Sequence, residues 1–304
     1  MYQYTIVQWL FFFYFYCFFG WVFESAYVSF RKRKFVNRGF MRGPFLPIYG
    51  SGAIMMLLVS MPFCDNLVLT YLAGCVGATA LEFVTGTVME ALFKVRYWDY
   101  SDQKLNYKGH ICLSSTLAWG FLTIFMTGFL HKIVEGFVLT IPATVVNSIT
   151  MLVTVIVIVD FTLSFKAAMD LRDILVGLEK AKEEMERIQK RLDVIIAVTN
   201  DELETRRQER SQRAEELVED LEARFEQIKE RIFASPSEFL DEVREELLEL
   251  RSKYLVEKEH HLQFKRIRGF YQRHLIKGNP SMKSVRFHEA LEELKKTVEE
   301  WKNK

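Results

Sequence analysis

Several signatures that would assign a chemistry are missing from this chain. There is no Gly-Lys-Ser/Thr stretch of a phosphate-cradling loop, so nucleotide hydrolysis is not expected of it. Only four cysteines occur, and no two stand in a Cys-x-x-Cys spacing. Cys17, Cys75 and Cys112 fall in or at the ends of apolar segments and Cys64 in a short loop, so they read as small buried hydrophobes. Neither a metal nor a cofactor is expected. No basic stretch precedes the first apolar run and no small-residue cleavage site follows it, so that run reads as a membrane segment and not as a cleaved signal. An excess of one charge is also lacking, since 40 Lys and Arg against 39 Asp and Glu leave a formal net charge of +1.

That balance averages two unlike halves. Residues 1 to 160 contain 11 basic and 8 acidic residues with all four cysteines, and the remainder holds the other 29 basic and 31 acidic residues. The first half carries apolar segments at 4–29, 45–61, 67–93, 111–130 and 137–160. Each is near the length that crosses about 30 Å of hydrocarbon. The second is the shortest and holds Gly50-Ser51-Gly52, which leaves a broken or re-entrant helix open there. The fold expected is all-α: a five-span polytopic membrane bundle (1–162), a long amphipathic coiled-coil helix (163–234), and a helical C-terminal region (235–304) broken near 278–281.

Loop charge sets an orientation. The 30–44 loop carries Arg31-Lys32-Arg33-Lys34, Arg38 and Arg42, and the 94–110 loop carries Lys94, Arg96, Lys104 and Lys108, whereas 61–66 has only Asp65. Both basic loops belong in the cytoplasm. Five spans then put the N-terminus outside and the C-terminal region inside.

Acids inside the apolar segments are the main functional pointer. Glu82 and Glu90 lie in the third segment and Glu24 in the first, where an ionised carboxylate is tolerated only if it faces protein, a cation or water. Gly74, Ala78, Glu82, Gly86 and Glu90 recur every four residues and form one stripe of small and acidic side chains. Small residues permit a close neighbouring helix, which brings its polar groups to the acids. Glu82 and Glu90 stand about 12 Å apart along the helix axis. A cytoplasm-facing polar vestibule, with these acids as a substrate or ion route and Arg38, Arg42 or Arg96 balancing them, would satisfy all three. Helix-to-helix bonding or contact with headgroup water is the plainer alternative, and Asp160 closes the last segment near the same interface.

The loop from Arg38 to Gly52 is dense in Gly and Pro, and its backbone amides beside Arg38 and Arg42 would suit an anion or lipid headgroup, or form an ordinary turn. Arg96-Tyr97-Trp98-Asp99-Tyr100-Ser101 has aromatics suited to the headgroup layer, with Asp99 free to meet Arg96 or a headgroup. His110 is the histidine placed for proton transfer, though no Ser or Cys partner accompanies it.

Taken together, Phe18-Phe19-Gly20-Trp21-Val22-Phe23-Glu24-Ser25, Asn37-Arg38-Gly39-Phe40, Gly43-Pro44-Phe45-Leu46-Pro47-Ile48-Tyr49-Gly50, the stretch Glu82 to Glu90, Tyr97-Trp98-Asp99-Tyr100-Ser101 and His110-Ile111-Cys112-Leu113 to Ala118-Trp119-Gly120 resemble the bacterial family named putative ABC-transporter type IV. The resemblance covers about residues 10 to 160. It implies a multi-pass protein of the bacterial cell membrane and a permease that needs a separate ATPase subunit. It carries no catalytic residue over.

Beyond residue 160 the pattern changes. Leu171, Leu178, Met185 and Leu192 alternate with Ile174, Ala181, Ile188 and Ile195 in three-four spacing, a seam suited to a homodimer or an intramolecular coil. The seam weakens over 200–214 and resumes through Leu217, Leu221, Phe225, Ile228 and Ile232. A turn is expected at Ala234-Ser235-Pro236-Ser237, followed by helices ending in Tyr254 and in Trp301. The basic stretch Lys265 to His274 reads as a solvated face, and nucleic acid is not an expected partner. Three functions remain open: a permease-like transport component, a membrane scaffold that recruits proteins through its coil, and an inner-leaflet enzyme acting on a lipid or phosphate-bearing group.

Overall fold

The computed structural model describes residues 3–63, 65–199, 221–223, 225–226, 238–265 and 269–300. Cys64, much of the resumed seam (Leu217, Ile228 and Ile232), the turn at 234–237 and Trp301 lie outside the described residues. The chain forms two compact units. One holds Met1–Arg172 with Arg268–Arg286, and the other holds Asp173–Ile267 with Phe287–Lys304. Where the sequence keeps 235–304 together, the segment Arg268–Arg286 packs with the first unit.

The first unit begins with α1 (Ile6–Lys32), started by a capping box in which Thr5 Oγ1 accepts from Gln8 N and Gln8 Oε1 accepts from Thr5 N. It ends at Arg33 in the left-handed conformation. Helix α2 (Pro47–Ser60) has proline at its first position, where no intrahelical donor is lost, and runs into a 3-10 turn at Met61–Phe63. Helix α3 (Leu67–Phe93) is capped by Asn66, whose Oδ1 accepts from Val68 N and Leu69 N. A two-stranded antiparallel hairpin follows, β1 (Asn106–Tyr107) paired with β2 (Ile111–Cys112).

The next helix differs from the sequence expectation. The apolar count ends its segment at residue 130, but α4 (Leu113–Phe125) continues through a π-helical turn (Met126–Leu130) into α5 (His131–Thr140). His131, Val134 and Val138 are buried on one face while Lys132, Ile133 and Phe137 are exposed. Spacing of three and four keeps the buried stripe going after mean hydropathy has dropped. Pro142 then precedes α6 (Ala143–Thr199), whose first part belongs to this unit.

Four helical stretches are long and apolar enough to cross a membrane: Ile6–Lys32, Leu67–Phe93, Leu113–Thr140 and Ala143–Ile195. Pro47–Phe63 is a shorter apolar helix. Exposed Phe, Leu, Ile and Val side chains cover these helices, as lipid contact requires. Their shared core holds Phe12 and Tyr16 from α1, Ala53 and Met56 from α2, Ala78 from α3, Met126 from the π turn, and Val134 and Val138 from α5.

The second unit is helical, built from the later part of α6, α7 (Glu238–Lys265) and α9 (His288–Glu300); α8 (Phe270–Gly278) belongs to the first. Met185, Ile188, Leu192 and Ile195 form one buried cluster with Leu221, Phe225, Leu247, Leu250 and Tyr254. Along α6, Leu175 is fully buried where the seam expected Ile174, which is only half-buried. Exposed ion pairs such as Arg191 to Glu246 rim this core.

Candidate functional site

The polar site forms where α1, α2, α3 and the hairpin loop meet. Close helix approach is built into the glycines. A Cβ at Gly20 would lie 2.4 Å from Tyr49 Cβ, so α2 can seat Tyr49 against α1 only because that position is bare. A Cβ at Gly86 would lie 2.9 Å from His110 Nδ1 and 3.2 Å from Trp98 Cζ2, so the loop folds tightly onto α3 there.

Glu24 accepts from Tyr49 Oη at 2.7 Å and pairs with Arg38 Nε at 3.3 Å. Glu82 is only 6% exposed. It receives Tyr100 Oη at 3.0 Å, Trp119 Nε1 at 2.9 Å and Ser115 Oγ at 3.3 Å. No arginine meets Glu82 among these bonds; three neutral donors do the work of stabilising a buried carboxylate. Glu90 lies 2.8 Å from Arg96 Nε and 3.0 Å from His110 Nε2. Tyr100 bonds Glu82 alone of the two acids, with the Glu24 charge a minor influence on it. Burial first, and then the Glu82 carboxylate, push the Tyr100 hydroxyl well above its usual range, so it stays a donor.

Burial likewise lowers the His110 imidazole below its ordinary value, against the opposing pull of Glu90. Burial opposes ionisation of Asp99, but hydrogen bonds from Ser101 and Lys283 outweigh it and hold the carboxyl below the usual range. Asp99 accepts Ser101 Oγ at 2.6 Å and lies 3.4 Å from Arg96 Nη1. A cavity of about 630 Å³ opens beside this group, lined by Glu90, Arg96, Ser101, Asn106, Lys108 and His110.

The loop aromatics turn inward. Trp98 Nε1 donates to the His110 carbonyl at 3.0 Å, and Tyr97 is buried. Asp160 accepts the Gly43 amide at 2.8 Å, and the Arg38 amide donates to Ser25 Oγ, so these backbone donors of the Gly-Pro loop have protein partners.

The arginines face the segment 270–286. Arg38 donates from Nη1 to the Gly278 carbonyl at 3.2 Å and to Asn279 Oδ1 at 3.0 Å, and from Nη2 to Ser281 Oγ at 3.3 Å. Arg42 stacks over the Phe270 ring at 3.9 Å. Lys283 reaches Asp99 at 3.2 Å. Asn279 Nδ2 donates to the Gly39 carbonyl, and His274 Nε2 sits 2.9 Å from the Met41 carbonyl. The geometry therefore assembles Glu24, Arg38, Glu82, Glu90, Arg96 and Asp99 on one side of the helices, with α8 and the turn after it bonded across the arginines.

Sequence reasoning missed Tyr49, Tyr100, Ser115 and Trp119 as the donors of the acids. Only their fourth-residue spacing hinted at Ser115 and Trp119, which share one face of α4. Among the described residues, no cluster of three or more His, Cys, Asp or Glu is placed to hold a metal ion.

Long apolar helices that carry buried, hydrogen-bonded polar side chains define a polytopic helical membrane protein. Residues 11–165 match the family described as "Putative ABC-transporter type IV", and the chain belongs to that family. The apolar helices and the family together fit a membrane transport component. No curated protein and no solved structure matches the chain.

Proposed function

We propose that the chain is a permease-like subunit of a bacterial cell-membrane transporter, with Glu24, Glu82 and Glu90 lining a substrate or ion route near the cytoplasmic side. The observation that carries this reading is Glu82, a carboxylate in a membrane-length helix, 6% exposed and held by three convergent neutral donors. Intramembrane acids so held mark ion and substrate pathways. Arg38 and Arg96 balance the charges of Glu24 and Glu90, and Arg38, Arg42 and Asp99 hold the 270–286 segment beside the route. The ATPase is a separate subunit, since this sequence has no phosphate loop.

The reading includes α2 and its 3-10 turn as a fifth span. Fourteen helical residues and three 3-10 residues give roughly 27 Å of rise. That approaches the hydrocarbon thickness of about 30 Å. Five spans with the basic 30–44 and 94–110 loops inside put the N-terminus outside and the C-terminal region in the cytoplasm. The seam from Met185 to Ile195 is covered within the chain by Leu247, Leu250 and Tyr254, as an intramolecular coil requires, and the reading assigns the outer faces of these helices to self-association or partner binding; the second reading, a scaffold that recruits proteins to the membrane, uses the same helices.

The test is purification of the intact protein in mild detergent, with mass spectrometry of what accompanies it, repeated with Glu82→Gln. Co-purification of an ATPase supports the permease. Absence of any ATPase, together with full function of cells carrying Glu82→Gln, Glu24→Gln and Glu90→Gln, would favour the scaffold.

A further inference from the structure

The cavity beside Glu90 has donors that the proposed route does not use. Its walls are the end of α3 and the hairpin loop, with Val285 from the turn after α8. Glu90 is the acid among its lining residues, and both carboxylate oxygens are engaged, Oε1 by Arg96 Nε at 2.8 Å and Oε2 by His110 Nε2 at 3.0 Å. Three lining side chains, by contrast, keep donors that nothing among the described residues takes up. Arg96 turns Nε to Glu90 and Nη1 to Asp99, which leaves Nη2. The Lys108 ammonium lies 5.6 Å from the centre of the Tyr107 ring and meets no carboxylate, and Thr87 Oγ1 has no hydrogen-bond partner. Counting Arg96 and Lys108 against Glu90, with the His110 imidazole neutral, the wall carries one positive charge in excess. Asp99, behind Arg96, is also paired with Lys283. An ammonium, a guanidinium edge and a hydroxyl are the donors that phosphate oxygens accept from.

Depth and surroundings point to a lipid as the source of that phosphate. Helix α3 has 27 residues, and from its middle at Ala80 to Glu90 is about 15 Å of rise. That is half of the roughly 30 Å of hydrocarbon, so with α3 centred in a bilayer the cavity lies at the level of the headgroups. Ala91 on the wall and Val88 and Leu92 next to it on α3 are exposed, and Leu105 in the loop is 76% exposed. Leu105 and Lys108 both hold the left-handed backbone that residues with a Cβ rarely adopt, at φ 53° and 52°. Strain of this kind gathers at ligand clamps. An apolar lip beside a cationic cavity matches acyl chains joined to a phosphate, whereas a leucine held outward gains nothing from water.

We propose that this cavity binds the phosphate of an anionic phospholipid headgroup, with Lys108, Arg96 Nη2 and Thr87 Oγ1 donating to its oxygens and the acyl chains lying along Val88, Ala91 and Leu92. The excess positive charge favours a net anionic headgroup over a zwitterionic one. Binding is the whole event, and no bond of the lipid is broken. The inference takes from the transport reading only the placement of α3 across the membrane, so a lipid binds here whether or not anything is moved.

Native mass spectrometry of the full chain in an uncharged detergent tests it, with phosphatidylglycerol as the probe and a diglucosyl diacylglycerol of the same chains as the phosphate-free comparison. Glycerol 3-phosphate supplies the phosphate without the chains. The expected result is one phosphatidylglycerol held about tenfold or more tighter than the glycolipid, and weakened about tenfold in Lys108→Gln. The Lys108 side chain makes no hydrogen bond or ion pair among the described residues, so this variant keeps the fold. Lys104→Gln, in the same loop but outside the cavity lining, should bind as the wild type does, and Thr87→Val on the α3 wall should weaken binding by a smaller factor. Equal retention of the two lipids, or a Lys108→Gln form that binds no worse than Lys104→Gln, would overturn the proposal, because the attraction would then be general to the basic loop. Displacement of the lipid by glycerol 3-phosphate at equal concentration would overturn the lipid as its source and give the cavity to a soluble phosphate ester. None of these readouts involves an ATPase or flux, so the transport reading stands or falls separately.

Discussion

Arg96 and Lys283 exchange both backbone hydrogen bonds, Arg96 N to the Lys283 carbonyl at 2.7 Å and Lys283 N to the Arg96 carbonyl at 2.9 Å. This antiparallel bridge joins the loop after α3 to the turn after α8, and Ser284 Oγ extends it by donating to the Lys94 carbonyl at 2.7 Å. The loop that carries Arg96, Asp99 and Tyr100 to the acids is thus held from outside by a distant segment.

Asn279 is the pin of that attachment, because its side chain bonds the Gly39 and Leu275 carbonyls and accepts from Arg38. Asn279→Ala should raise hydrogen exchange over 270–286 by about tenfold, the equivalent of one or two lost buried hydrogen bonds. Exchange by mass spectrometry on the purified protein reads this directly. Unchanged protection would mean that Asn279 does not hold the segment.

Acid should loosen the same attachment. Burial lowers the His274 imidazole below its ordinary 6.5, in spite of the Met41 carbonyl and Asp160 nearby, and Arg42 acts with burial. The neutral ring is therefore the docked form, and protonation is easier when the segment is free. Stability of the docked state is full above about pH 6.5 and falls as pH drops through that value toward the lower docked one. Hydrogen exchange over 270–286 should rise from pH 7.5 to 5.5 by more than its intrinsic pH dependence, and His274→Gln should flatten that excess.

Glu82 separates charge from bonding. Glu82→Gln keeps an acceptor for Tyr100 or Trp119, whereas Glu82→Ala leaves both facing a void, Ser115 retaining the Cys112 carbonyl. The alanine form should be less stable than the glutamine form by about 1 to 3 kcal/mol. Thermal unfolding in detergent compares them, and equal midpoints would show that water replaces the carboxylate.

Gly20→Ala tests the α1 to α2 contact, since the new methyl would meet Tyr49 Cβ and Cγ at 2.4 Å, atoms near the backbone that cannot swing aside. A loss of about 1 to 3 kcal/mol is expected. Displacing Tyr49 should also release Glu24, seen as greater reactivity of its carboxyl toward a carbodiimide. Wild-type stability in this variant would argue against the close approach.

Much of the membrane part could be read from the chain. Four of the apolar segments fall on membrane-length helices and the other on the shorter Pro47–Phe63, because lipid contact demands long runs of apolar residues, and α3 falls on residues 67–93 as the pattern expects. The stripe of Gly74, Ala78, Glu82 and Gly86 is buried, since close packing of α3 needs small residues on one face. His131 was hidden because a histidine beside Lys132 and Glu135 lowers mean hydropathy and looks like a loop. Only its spacing to Val134 and Val138 marked a helix face.

What the sequence determined by itself is therefore the local and periodic part: helix positions, the acids within them, the family and the α6 seam. Tertiary structure alone decided the partners. That Glu82 meets a tyrosine, a serine and a tryptophan, that Arg38 meets Asn279, and that His131 meets Tyr4 and Tyr16 depend on side chains far apart in the chain. Periodicity specifies which face of a helix is buried, but not which neighbour covers it.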